Sequence, residues 1–252
     1  MYDYNKKIIP AFYQVSETIR RRIYLGIYSD GEFIPTEKEL EAEFFVSNIT
    51  IRKALEILAR EGILRRTRGA GTMVQKIEKH PVSINITGNF RDWFDSASGN
   101  FPNMEVEVLD LGPRICPERI RKIFKIFKDE KLWRLERIRR FNSKTASYYL
   151  NYAPLKLFEK FSIGTFRENS FLEILRTRCG VEVIQIEQTV NAIIADIELA
   201  NVLGVDFGLP LFFAENIYKD KNYNPLAVTH IYYRSDYYTY KANINIAEEK
   251  EG

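Results

Sequence analysis

Between positions 47 and 71, residues capable of directional hydrogen bonding gather in two places. Ser47, Asn48, Thr50 and Arg52 crowd the start of a helix-like stretch, and Arg68-Gly69-Ala70-Gly71 places one cation among small residues. Asn carries a donor and an acceptor on one amide, Thr a hydroxyl, and Arg a planar fork of donors. These groups read base edges in a DNA groove and hold phosphate oxygens. The surrounding charge agrees. From 47 to 76 there are seven basic residues (Arg52, Lys53, Arg60, Arg65, Arg66, Arg68, Lys76) against Glu56 and Glu61, a net +5. Residues 30–45 instead carry six acids and Lys38.

The elements that position these groups follow from pattern. Ser47 is a helix-capping residue, and Ile51, Leu55, Leu58 and Ala59 recur at one-turn intervals, so a helix with one apolar stripe is expected. Gly62 stops it. Two strand-like runs, 63–66 and 72–75, then flank the glycine-bearing tip as a hairpin. Upstream, Pro10 opens a helix whose apolar face is Phe12, Val15, Ile19 and Ile23. Thr36 with Glu39 forms a capping box for a second helix, with Leu40, Phe44 and Phe45 as its buried contacts. Three helices and a hairpin make a winged helix-turn-helix, with one helix in the major groove and the wing beside it.

Composition narrows the classes. A chain of 252 residues, 45% hydrophobic, has room for two domains. No run reaches the roughly 18 apolar residues of a membrane span and no signal peptide opens the chain, so a soluble cytoplasmic protein is expected. Cys116 and Cys179 do not make a disulfide framework, and no CxxC or histidine cluster points to a metal or other cofactor. His80 and His230 provide no nucleophile–base pair, which argues against an enzyme.

The stretch YQVSETIRRRIYLGIYSDGEFIPTEKELEAEFFVSNITIRKALEILAREGILRRTRGAGTMV resembles the DNA-binding domain of GntR-family transcription regulators throughout. The P-[ST]-E-x-E-L start of the second helix, the VS-x-x-T-[VI]-R-x-AL helix and the G-x-G-T wing occur in order. The resemblance implies that Thr36 and Lys38 meet phosphate and neighbouring bases, that Ser47, Thr50 and Arg52 touch phosphates and base edges, and that Gly69 lies at the wing tip near a minor groove with Arg68. Asn48 replaces an arginine usual in the family. Arginine pairs with guanine and asparagine with adenine, unless Asn48 only extends the helix cap.

Residues 77–89 lose both periodicities and read as a linker between a DNA-binding domain (1–76) and a second domain (90–252). There, Met104–Leu111, Lys131–Phe141, Ser147–Ala153, Val181–Ile194, Pro210–Tyr218 and Leu226–Ser235 read as strands. Helices are expected from Cys116-Pro117 to Phe127, over Ser170–Arg178 and over Asp196–Leu203. The first of these would bury Ile120, Ile123, Phe124 and Phe127. Hairpin-linked strands with intervening helices predict an α+β fold with a mostly antiparallel sheet. The segments WRLERIRRFNSKTASYYLNYAP, NSFLEILRTRCGVEV, ADIELANVLGVDFGLPLFFAENIY and YYRSDYYTY are similar, in order, to the UTRA effector-binding domain of the HutC subfamily, which has a chorismate-lyase-like fold.

That resemblance implies an effector pocket. Arg137 and Arg139 keep an R-x-R pair which, projecting from one strand face, makes an anion site, the alternative being pairing with acids such as Glu136. Ser170 keeps the place of a phosphate-binding serine, or is an ordinary N-cap. Asn89 replaces a serine that contacts phosphate, and Tyr233 is retained. Tyr149 stands in place of a sugar-binding glutamate, Leu172 in place of a phosphate-contacting tyrosine, and Ala227 in place of a second glutamate. An anionic effector with a flatter or more apolar body than an amino-sugar phosphate is therefore expected. The family further implies a homodimeric repressor on a palindromic operator, released by its small anionic effector.

Overall fold

The computed structural model describes residues 9–67, 69–75, 82–86 and 104–242. Arg68 and Asn89 lie outside them, so nothing structural is attached to either. The chain divides into two units, Met1–Glu78 and Lys79–Gly252.

In the first unit, Pro10 precedes α1 (Ala11–Tyr24), whose Val15, Ile19 and Ile23 are buried. Thr36 caps α2 (Glu37–Phe44) through the expected capping box. Ser47 caps α3 (Asn48–Arg60), which buries Ile51, Ala54, Leu55 and Leu58. Between α2 and α3 the chain reverses at Phe45, whose backbone is left-handed (φ 52°). That turn throws the Phe45 ring outward to 92% exposure, so it is not the buried contact its apolar character suggested. Strands β1 (Leu64–Thr67) and β2 (Gly71–Val74) pair antiparallel, and Phe33 bridges to Met73 along the other edge of β2. Ile19, Leu40, Ile51, Leu55, Leu58, Leu64 and Val74 form one core. Each such side chain contributes roughly 1.5–3 kcal/mol, which fixes α3 and the wing against α1.

In the second unit, β4 (Met104–Ile115), β5 (Lys131–Phe141), β6 (Lys144–Ala153), β7 (Gln185–Ile194), β8 (Pro210–Lys219) and β9 (Pro225–Arg234) form one sheet. Its order is β4-β5-β6-β9-β8-β7, and every pairing is antiparallel. Asn142 and Ser143, at φ 47° and 65°, make the tight β5–β6 turn, a geometry that suits the twist of a hairpin. A second pair, β3 (Val82–Ile86) with β10 (Tyr238–Ala242), is parallel. Strand β3 lies in the stretch read as linker. Its Val82 and Ile84 alternate into the core at 0% and 1% exposure, but five residues behind a proline are too few to show a period.

Helix α4 (Glu118–Phe124) is followed by Lys125 in a left-handed conformation, three residues short of the expected end. Phe127 is therefore 82% exposed rather than on the buried face. Helices α5 (Leu155–Phe158), α6 (Ile163–Glu168), α7 (Phe171–Arg178) and α8 (Ile197–Leu203) complete the described elements. None of the described helices is long and apolar enough to cross a membrane.

Alternation along β5 sorts the sheet into two faces. Trp133 and Leu135 pack with Phe158, Phe166, Phe171 and Leu172 of α5–α7 at one end of one face. Tyr149, Ile231 and Tyr233 pack with Val82, Ile84 and Tyr238 of β3 and β10 at the other. Arg137 and Arg139 follow Leu135 on that face, where the cover passes from helices to strands.

Candidate nucleic-acid interface and effector site

The first candidate site stands on the first turn of α3. Ser47 accepts from the Thr50 N–H at 3.4 Å, and the two hydroxyls lie 3.0 Å apart. Thr50 is thus pinned at the helix start. Arg52, one turn on, has a side chain 64% exposed and gives its Nε–H to Glu37 at 2.8 Å. Asn48 turns its Nδ2 toward two acids of α2, Glu41 at 2.6 Å and Glu37 at 3.4 Å. Glu37 also accepts from Arg66 of β1. Hydrogen bonding from Arg52, helped by Asn48 and by the charge of Arg66, holds the Glu37 carboxyl below its usual range, against the opposing pull of burial.

The other expected contacts are placed as follows. Thr36 shares its hydroxyl and its N–H with Glu39 in the capping box, so both its donors are already used within α2. Lys38 is exposed. At the wing, Gly69 and Gly71 have φ of 81° and 111°, and a β-carbon on Gly71 would lie 3.2 Å from the Phe33 ring. Position 71 therefore disfavours a side chain, chiefly through its backbone conformation. The sequence reading missed Glu37 and Glu41. The signal was present as an acidic α2 beside a basic α3, and was read only as charge segregation.

The second candidate site lies on the β5–β6–β9 face. Arg137 pairs across the ladder with Tyr149, and Arg139 with Ser147, which in turn pairs with Tyr233. Arg137 and Arg139 are 3% and 6% exposed. Both guanidiniums lie against the Tyr149 ring, at 6.0 and 4.7 Å from its centroid. Tyr149 meets Tyr233 edge to face, and Tyr233 lies 4.4 Å from the Tyr238 ring, whose hydroxyl is 2.9 Å from Ser147 Oγ. Arg137 donates to the Phe166 carbonyl at 3.1 Å and, weakly, to Asn151 Oδ1 at 3.5 Å. Its Nε is buried without a partner. Burial, then the neighbouring charge of Arg139, pushes the Arg137 guanidinium down to about 10.

Glu136 lies on the opposite face, where it accepts from Tyr148 at 2.6 Å and from Arg134 at 3.0 Å. It is therefore no counter-ion for Arg137. Ser170 accepts from the Glu173 N–H at 3.1 Å as the N-cap of α7. Leu172 and Ala227 belong to the apolar cluster under α5–α7. Among the described residues no group of His, Cys, Asp and Glu gathers to hold a metal ion.

A winged helix-turn-helix followed in the chain by a separate sheet domain is the architecture of a DNA-binding regulator with a second unit. The chain belongs to the gntR family of bacterial regulatory proteins (residues 13–74), in the branch that carries a UTRA domain (residues 102–239). It is a transcription regulator that binds DNA through its GntR domain, and not an enzyme. It is 27% identical over 226 residues, 87% of this chain and 90% of the relative, to the "Probable fructoselysine utilization operon transcriptional repressor" of Escherichia coli K12. It is 24% identical over 232 residues, 92% and 93% of the two chains, to the transcriptional repressor NagR of Bacillus subtilis. Among solved structures, PhnF of Mycobacterium smegmatis matches with a TM-score of 0.54 at 18% identity, over 92% of this chain and all of that one. YydK of Bacillus subtilis, described as a possible transcriptional regulator, matches with 0.55 at 23% identity, over 94% and 100%. At those identities the structures establish the shared fold alone.

Proposed function

We propose that the protein is a cytoplasmic repressor which binds a two-fold-symmetric operator as a homodimer and releases it when a small anion enters beside Arg137 and Arg139. The observation that carries the effector half is Arg137. A guanidinium 3% exposed, bonded to a carbonyl and an amide oxygen, with its Nε unpartnered, is a buried charge that meets no acid among the described residues. Burial of that kind is costly unless a counter-charge arrives. The tyrosines beside the pair favour an anion with a planar or apolar body, since Tyr149 and Tyr233 offer ring faces and edges there. Relatives named as repressors support the sign of regulation.

The DNA half rests on α3 and the wing. Asn48, Thr50 and Arg52 face a major groove, and the Arg68–Gly71 tip follows the adjacent minor groove. Lys38 and Ser47 meet phosphates, while Thr36, its donors held by Glu39, fixes the start of α2 beside them. With the Asn48 Nδ2 turned to Glu41, its carbonyl oxygen is the atom left for a base. That oxygen accepts from adenine N6 or cytosine N4 and cannot accept from guanine O6 or N7.

Selection from random duplexes, followed by titration of the selected duplex with phosphorylated sugars, aryl phosphates and aromatic carboxylates, tests the reading. The expected outcome is an inverted repeat bound by two chains per duplex and released by an anion from this set. Selection of a single half-site bound by one chain, or release by none of the anions, overturns it.

A further inference from the structure

Glu37 is the point where three DNA-side groups converge. Its carboxylate takes the Arg52 Nε–H at 2.8 Å, an Arg66 Nη–H from the wing strand, and sits 3.4 Å from Asn48 Nδ2. An acid in a DNA-binding surface is unfavourable toward phosphates, so its presence there calls for a compensating role. The geometry supplies one. Arginine reads guanine through its two terminal nitrogens, Nη1 and Nη2. Glu37 holds the third nitrogen, Nε, from the side, and so fixes the plane of the guanidinium while leaving the reading edge open. The Arg52 side chain stays 64% exposed in this grip, whereas Glu37 is 24% exposed beneath it.

The second tie extends the same device to the wing. Arg66 stands on β1, opposite Thr72 in the hairpin ladder. One carboxylate thus bridges the start of α2, the first turns of α3 and the first strand of the wing. We propose that Glu37 is a positioning residue for sequence readout. It aims the Arg52 fork at a base edge and ties the wing strand to α3, so it raises discrimination between operator and other DNA while lowering non-specific attraction. This inference rests on the reading of α3 as the DNA-facing helix.

The expected consequences have opposite signs for the two kinds of DNA. Glu37→Gln keeps the shape of the side chain but removes the charge that orders two arginines. Non-specific affinity should rise, because an acid leaves the interface and two cations become free to follow phosphates. Operator affinity should fall, because Arg52 must then be ordered at the moment of binding. The ratio of the two affinities should drop by about tenfold. A residue with a merely structural role would weaken both kinds of binding together.

The deciding experiment is a double-mutant cycle on the full-length protein, with Glu37→Gln, Arg52→Ala and the pair. Binding is measured to the selected operator and to a scrambled duplex of equal length. If Glu37 acts through Arg52, the double variant should discriminate no worse than Arg52→Ala alone, since a residue cannot aim a side chain that is gone. Glu37→Asp, with the charge but a shorter reach, should lie between wild type and Gln. Losses that add, or a Glu37→Gln ratio within twofold of wild type, overturn the proposal. If Arg52→Ala itself leaves operator binding unchanged, the DNA-facing assignment of α3 has failed instead, and the positioning role goes with it.

Discussion

Arg137→Met separates a structural arginine from one kept for a ligand. Methionine fills much of the same buried space without charge. In the unliganded protein the guanidinium is held down to about 10 from 12.5. At about 1.4 kcal/mol per pH unit, the charged form is disfavoured in the fold by roughly 3 kcal/mol. Removing it relieves that cost but strips the donor from the Phe166 carbonyl at 3.1 Å and the weaker one from Asn151 at 3.5 Å. An orphaned buried acceptor costs about 1–3 kcal/mol. The two effects nearly cancel, so the melting point of the sheet domain should move by less than about 4 °C. Breaking a buried ion pair would cost about 3–5 kcal/mol and lower it by roughly 6–20 °C.

With the proposed anion bound, a different outcome is expected. An effector at 100 times its Kd stabilises wild type by about 2.7 kcal/mol. A charge-assisted bond to arginine is worth roughly 1.5–3 kcal/mol, so the variant binds about one to two decades more weakly. At the same concentration its stabilisation then falls to about 0.4–1.4 kcal/mol. Calorimetry of both proteins, with and without the anion that releases the operator, reads all four melting points. A large fall in the unliganded variant together with an intact ligand-induced rise would refute the reasoning, because Arg137 would then be a structural brace.

Three further outcomes are expected. Asn48→Arg should move the preferred base at one operator position from A or C toward G in a random-duplex selection, and identical motifs would leave Asn48 as part of the helix cap only. His230 donates its Nε2–H to the Glu215 carboxylate at 2.9 Å, and burial lowers its proton affinity below the usual 6.5. The folded state then binds fewer protons than the unfolded chain, so stability should fall as pH drops below 6.5 and be fully present above it; His230→Gln should flatten that slope in denaturant titrations between pH 5 and 7.5, and an unchanged slope would assign it elsewhere. Gly71→Ala should destabilise the wing by about 1 kcal/mol or more, read as faster amide exchange across β1 and β2 while α1 stays protected, because its φ of 111° and the nearby Phe33 ring both oppose a side chain.

Much of this architecture is readable from pattern because its signals are local. Ser47, Thr36, Asp196 and Ser170 cap helices where their side chains dictate, and Lys131–Phe141 is a strand over the range its alternation gives. What escapes is set by distant partners. Strands β3 and β10 stand 152 residues or more apart in sequence and are parallel, so neither end announces the other. Helices α5 and α6 are four and six residues long and are held by Trp133, Phe158 and Phe166 rather than by periodicity. Phe45 and Phe127 are apolar and yet exposed because a left-handed residue turns the chain at or just before them. The R-x-R pair was visible as spacing, but its burial depends on covers contributed from both ends of the domain. Glu37 is legible only as one acid of the charged stretch before a basic helix, since its partners lie 11, 15 and 29 residues away.

The proposed function depends on coupling between operator binding on α3 and anion binding at Arg137 and Arg139. By linkage, whatever factor the anion removes from operator affinity, the operator must remove from anion affinity. The most direct test is calorimetric titration of the releasing anion into free protein and into protein saturated with operator. Weaker anion binding to the operator complex is expected, by the same factor seen in operator release. Arg137→Met should shift both effects to higher anion concentrations together. Equal anion affinities with and without operator would contradict it.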